Sequence, residues 1–320
     1  MTQPTPPQIA LTMGDPAGVG PEICLDILAD AELGEVCQPI IYGDLEVLTH
    51  CAKTTRRPAP DPTRILSLTS GLSFNPGTPS ATTGQASFQY LETAITHALS
   101  GQVQAVTTAP ISKDAWHAAN INYPGHTEVF TSLTNSSPTC MAFFSQTINA
   151  SLVTVHLPLR EVPLTLTTER IKDVIALTRQ ALQQQLHREP HLTILGLNPH
   201  ASENGLFGDE ESRLIQPAIE HQRSLGANLS DPLPPDTAFL PSHRKQTDGY
   251  IAMYHDQALI PVKTLAFDTA VNTTLGLPFP RTSVDHGTAL DIAWQKKANP
   301  RSLREAILLA AKLTEFAPPL

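Results

Sequence analysis

Cysteine is scarce in this chain. Its four residues, Cys24, Cys37, Cys51 and Cys140, show no CxxC spacing. That excludes a disulfide framework and a thiolate metal site, and leaves reduced thiols. Basic residues are also in deficit: 21 Lys and Arg against 30 Asp and Glu, a formal net charge of −9. No surplus exists to neutralise nucleic-acid phosphates. No apolar run approaches the ~18 residues of a membrane span. The opening MTQPTPPQ has neither the basic nor the apolar segment of a secretory signal. A cytoplasmic protein with no nucleic-acid or membrane partner is expected. Also missing are a G-x-S-x-G elbow, a G-x-G-x-x-G fingerprint, a phosphate loop with its lysine, and any internal repeat. A serine hydrolase therefore finds no support.

What is present suits a globular α/β protein. At 320 residues the chain suits two lobes or one large α/β unit. Its 41% hydrophobic content is ordinary for a folded core. Proline is abundant, 29 of 320 residues, against the usual ~5%. The prolines sit mainly at turns, as stiff connections between elements. Short apolar runs predict strands at Ile9–Met13, Pro39–Tyr42, Arg64–Leu68, Gln104–Thr108, Met141–Phe144, Leu152–His156, Leu192–Leu197, Tyr250–Tyr254 and Ala270–Thr273. Helical spacing is clearest over Thr168–His187, with Ile171, Val174, Ile175, Leu182 and Leu186 on one face. A second helix, Ser302–Phe316, opens with Ser302 and Glu305 spaced as a capping box. The alternation implies an α/β protein with a mostly parallel sheet. The expected lobes are residues 1–120 plus 285–320, and residues 121–284.

Three groups of residues could carry chemistry. GDPAGVGPE, Gly14–Glu22, follows the first strand and opens a helix, so it reads either as an anion-binding loop or as a tight structural turn. His156, His200 and His255 each end an apolar run, where an open sheet presents ligands at its C-terminal edge. One such histidine alone is more often a satisfied core residue. Three at equivalent positions fit a divalent metal with an open coordination site. Downstream stand Asp256, Lys263, Asn272, Arg281, Asp285 and His286. Lysine and arginine on successive turns suit a phosphate or carboxylate, or simply a solvated rim. Val262 and Leu265 make the surroundings of Lys263 look buried. His126, in YPGHTE, could be no more than the start of a helix.

LTMGDPAGVGPE, PGHTE, HLPLREV, GLNPHASENGLFGDEE, PLPPDTAF, AMYHDQ and VNTTLGLPFPRTSVDHGTALDIA occur in this order along nearly the whole chain. Through them the sequence resembles the 4-hydroxythreonine-4-phosphate dehydrogenase family of vitamin B6 synthesis. One departure is Ser202, where the family pattern has glycine. The resemblance implies that His156, His200 and His255 bind one divalent metal, zinc, cobalt or magnesium. It implies that His126, Thr127, Lys263, Asn272 and Arg281 contact the substrate, and that Asp236 and Asp256 line the same site. Lys263, Asp236 and Asp256 are the candidates for general base. HGTALDIA is similar to the adenosine-binding loop of isopropylmalate and isocitrate dehydrogenases, which implies a related fold of two α/β/α lobes with mostly parallel sheets and the active site in the cleft. There Asp291, with His286 and Gly287, would bind NAD and disfavour a 2′-phosphate.

The implied reaction is oxidation of 4-phosphooxy-L-threonine by NAD, followed by decarboxylation. The resemblance also implies a homodimer whose metal site draws histidines from both chains, with His255 taken as the one that crosses. Alternatives are a relative acting on a sugar-acid phosphate or an aromatic dihydrodiol, a metal-dependent hydrolase, and a non-catalytic binding module.

Overall fold

A computed structural model describes residues 6–315. The chain divides into two compact units, one made of residues up to Ser137 with those from Leu277 onward, the other of Pro138–Gly276. These junctions differ from the expected 120/121 and 284/285. The helix His126–Thr134 belongs to the first unit because Val129 and Phe130 enter its core, with the Phe130 ring against Phe279.

In the first unit every strand pairing is parallel. The order is β3 (Ile65–Ser67), β2 (Gln38–Gly43), β1 (Gln8–Thr12), β4 (Ala105–Thr108) and β11 (Arg281–Ser283). Strands buried on both faces read as continuous apolar runs, which is why β1 and β4 were legible. The second unit is mixed, in the order β10 (Val271–Leu275), β5 (Cys140–Phe144), β6 (Ala150–Leu152), β9 (Gly249–Ala252), β7 (His191–Ile194) and β8 (Asn228–Leu229). β5 runs antiparallel to both β10 and β6; β6, β9, β7 and β8 are parallel. The α/β class holds.

The helices follow the sequence with local departures. Thr168–Leu186 is helical, and the Thr167 side chain accepts the Arg170 N–H at its start. Ile171, Val174, Ile175 and Leu182 are buried, whereas Leu186 is exposed beside the left-handed His187. The expected capping box does not form. The last helix spans Arg301–Thr314 with Pro300 at its cap, and the Ser302 hydroxyl accepts the Asp285 N–H instead. Phe316 lies outside the described residues. All four cysteines are buried and unpaired with one another. Among the described residues no helix is long and apolar enough to cross a membrane.

The Gly14–Glu22 segment resolves as the structural turn. Gly14 has φ +72°, and a Cβ on Gly20 would lie 2.0 Å from the Met13 carbonyl oxygen, so both positions need glycine. Four of the loop's donors are already used: Asp15 N to Pro110 O, Ala17 N to Asp15 Oδ1, Gly18 N to Asp15 O and Val19 N to Thr288 O. Glu22 is fully buried. Its Oε1 accepts from Lys296 N at 2.6 Å and Arg57 Nη1 at 3.2 Å, and its Oε2 from Trp294 N at 3.2 Å. Trp294 and Lys296 are both left-handed, a conformation held by these bonds. Removing one partner of a buried ionic network costs about 3–5 kcal/mol. Glu22→Ala should therefore lose stability of that order in chemical denaturation, and a change below about 1 kcal/mol would reject the clamp.

Candidate active site

The parallel pairing of β6, β9 and β7 sets Leu152, Ala252 and Ile194 near one edge of the second unit's sheet. The strands stop earlier than the runs predicted: β6 ends at Leu152, not His156. The histidines thus ride on the segments that follow. His156 and His255 come together, with ring centroids 5.6 Å apart. His255 opens the helix His255–Ala266, and its Nδ1 is 2.8 Å from Asp256 Oδ1.

His200 sits on an unusual turn. Five consecutive residues are left-handed: His200, Ala201, Ser202, Glu203 and Asn204. Four of them carry a Cβ that resists this region, and only asparagine tolerates it readily. The turn brings residues three apart onto one side, and His200 Nδ1 lies 3.0 Å from Glu203 Oε2. Sequence reasoning passed over Glu203; the H-x-x-E spacing was its only signal.

The pair His156–His255 fits a metal. Two imidazoles on one tetrahedral ion, with metal–nitrogen bonds of ~2.0–2.1 Å, place their ring centres roughly 5 Å apart. The hydrogen bonds at His200 and His255 occupy Nδ1 and leave Nε2 as the donor atom. Among the described residues, however, no three His, Cys, Asp or Glu side chains are grouped to hold an ion. His200 does not complete the pair within the chain. Within one chain it is His255, not His200, that stands beside His156.

Asp236 and Asp256 line one cavity of about 440 Å³, with Phe239, Tyr254 and Ile260. Lys263, expected to be buried, is exposed. Helical geometry turns Val262 and Ala266 inward and leaves Lys263 on the outer face, its Nζ 6.0 Å from the Phe267 ring centre. Asn272, on β10, has an Oδ1 that is buried and finds no hydrogen-bond partner among the described residues.

The first unit holds the other predicted contacts. Arg281, on β11, is 2% exposed; its Nη2 donates to Thr108 Oγ1 at 2.9 Å, and its guanidinium lies 5.2 Å from the Phe130 ring centre. Burial pushes it down to about 10, with Glu128 opposing. His126 begins its helix, Thr127 lies in the first turn, and the His126 ring meets Trp116 edge-on. Burial, then Arg281 and Lys113, hold this imidazole well below its ordinary range. It is neutral, and its Nε2 is buried with no hydrogen-bond partner among the described residues. Lys113 was not foreseen; only its proximity in space to His126 reveals it. In the 285–296 loop, His286, Gly287 and Asp291 are exposed, while Trp294 anchors the loop by donating Nε1–H to Pro16 O.

Residues 35–310 match the family described as pyridoxal phosphate biosynthetic protein PdxA. The chain is 40% identical to a 4-hydroxythreonine-4-phosphate dehydrogenase from Desulforapulum autotrophicum, covering 95% of each. It is 39% identical to a D-threonate 4-phosphate dehydrogenase from Pectobacterium atrosepticum, covering 95% of this chain and 98% of the relative. A solved structure of 4-hydroxythreonine-4-phosphate dehydrogenase from Klebsiella pneumoniae superposes with a TM-score of 0.86 at 38% identity, over 96% of this chain and 99% of that one.

The left-handed turn yields a direct test. Ser202 has φ +69°, which costs a residue with a Cβ about 1–2 kcal/mol. Glycine avoids that strain but loses about 0.4–1 kcal/mol through its unfolded state. Ser202→Gly should therefore stabilise the protein by about 0.5–1 kcal/mol in denaturant titration. A loss of stability would show that the serine side chain is itself a required partner.

Proposed function

The chain belongs to the PdxA family, and on that premise we propose that it is an NAD-dependent, metal-dependent dehydrogenase of 4-phosphooxy-L-threonine. The product is 2-amino-3-oxo-4-phosphooxybutanoate, a β-keto acid that loses carbon dioxide to give 3-amino-2-oxopropyl phosphate. The observation that carries the metal is the His156–His255 pair, poised at the spacing two ligands of one ion require. A divalent ion there supplies Lewis acidity that lowers the pKa of the substrate hydroxyl. Asp256 is engaged by His255, so Asp236 or Lys263 accepts the hydroxyl proton. Arg281, His126, Thr127, Lys263 and Asn272 bind the anionic and polar groups of the substrate. The neutral His126 and the Asn272 amide each bring a buried polar atom with no hydrogen-bond partner among the described residues to meet it. The Asp291 carboxylate accepts the ribose hydroxyls of NAD and repels a 2′-phosphate.

D-threonate 4-phosphate is the second reading, because a relative with that name is nearly as similar as the first. The two substrates differ in an amine against a hydroxyl beside the carboxylate. Formation of reduced nicotinamide, followed with both compounds and with an aromatic cis-dihydrodiol, decides among them. Chelation should abolish turnover, and zinc, cobalt or magnesium should restore it. Full turnover by stripped protein would reject the metal, and equal kcat/KM with NADP would reject the role of Asp291. A hydrolase would release product without any change in nicotinamide.

The third ligand, His200, comes from a second copy in a homodimer of two-fold symmetry, so the site occurs twice. His156→Ala and His200→Ala homodimers should both be inactive. Refolded together in equal amounts, they form about half heterodimers, each with one intact and one doubly broken site, and roughly a quarter of wild-type activity returns. A mixture of His156→Ala with His255→Ala should recover nothing, because those two ligands share a chain. The opposite pattern would make His255 the crossing residue.

A further inference from the structure

Two carboxylates outside the proposed ligand set stand against the unused nitrogens of two proposed ligands. Asp256 Oδ1 is 2.8 Å from His255 Nδ1, and Glu203 Oε2 is 3.0 Å from His200 Nδ1. An ionised carboxylate can only accept, so a neutral imidazole in that contact carries its proton on Nδ1 and leaves the Nε2 lone pair free. Without such a partner a neutral histidine distributes its proton over both nitrogens, mostly on Nε2, where it blocks metal binding.

The two arrangements are built by different means. Asp256 occupies the first turn of the helix that His255 opens, where the helix dipole favours a negative charge. Glu203 reaches His200 across a turn whose intervening backbone is left-handed. A strained segment persists where the surroundings hold it, and here it brings one imidazole and one carboxylate to hydrogen-bonding distance.

We infer that Glu203 and Asp256 are positioning residues, which fix the Nδ1–H tautomer and ring orientation of His200 and His255 before any metal arrives. This rests on the reading of those histidines as metal ligands. Outer carboxylates of this kind are worth about 10–100-fold in metal affinity. They also make Asp256 a poor choice for the general base, since its oxygen is already committed to His255.

The test uses the full-length protein in two steps. In metal-stripped protein, long-range ¹H–¹⁵N correlation of the histidine rings should show His200 and His255 as Nδ1–H tautomers. Glu203→Ala should shift only His200 toward Nε2–H, and Asp256→Ala only His255. In the second step, cobalt is titrated against a competing chelator. Glu203→Gln and Asp256→Asn, which keep shape and remove charge, should bind cobalt about 10–100-fold more weakly, with an altered visible spectrum and an unchanged melting temperature of the stripped protein. Returning the charge with Glu203→Asp should regain part of the affinity. Unchanged tautomers, or cobalt affinity within about twofold of wild type, would overturn the inference. If wild-type protein takes up no cobalt, or His255→Ala binds it as tightly, the metal reading itself fails instead.

Discussion

The candidate site depends first on the parallel pairing of β6 and β9. Parallel neighbours finish at the same edge, so whatever follows Leu152 and Ala252 emerges side by side. His156 comes four residues after the first strand end and His255 three after the second, and the rings meet 5.6 Å apart. An antiparallel pairing would send the two histidines to opposite edges. The same second unit contains antiparallel β5 and β10, so parallelism is confined to the strands that lead to the histidines and to β8 beyond them. Lateral order then matters as much as direction: β9 lies between β6 and β7, which sets His255 next to His156 although a hundred residues of chain separate them.

In the first unit the organising contact is the buried Glu22 carboxylate. The glycine-bearing motif and the HGTALDIA loop are far apart in sequence, but the structure makes each the support of the other. Pro16 O receives the Trp294 indole, Val19 N–H is accepted by Thr288 O, and Glu22 takes two backbone N–H groups from left-handed residues. A loop that leaves Asp291, His286 and Gly287 exposed has few core contacts of its own. The first helix supplies its rigidity. An anion-binding role for Gly14–Glu22 would leave those N–H groups competing with their structural partners.

The sequence allowed much of this to be read because buried parallel strands are continuous apolar runs, and because the long helix Thr168–Leu186 has a strong stripe. Four features escaped, each for a physical reason. β8 and β11 are too short, at two and three residues, to have a pattern. The Ser302–Glu305 spacing matched a capping box, but the Ser302 hydroxyl serves Asp285, a tertiary partner that no local pattern contains. Apolar neighbours of Lys263 suggested burial, yet in a helix adjacent residues face different directions. The backbone of His200–Asn204 is held against the preference of four of its five residues, and only Asn204 hinted at it. The three histidines were recognisable as a set, while the closeness of His156 to His255 was not, since it depends on strand order.

Net charge is a poor guide to the ligand here. A chain at −9 would seem unsuited to a phosphorylated acid, but binding depends on the local field. Arg281 and Lys113 flank His126, and all three occupy the first unit. Were His126 also protonated, three cations would share a poorly solvated region; burial and its neighbours keep it neutral instead. It therefore offers a hydrogen bond while Arg281 offers charge. An anionic group arriving beside them would relieve repulsion between the cations and raise the proton affinity of His126. The proton affinity of this imidazole is thus coupled to the charge beside it, and that coupling follows from burying a guanidinium and a histidine together.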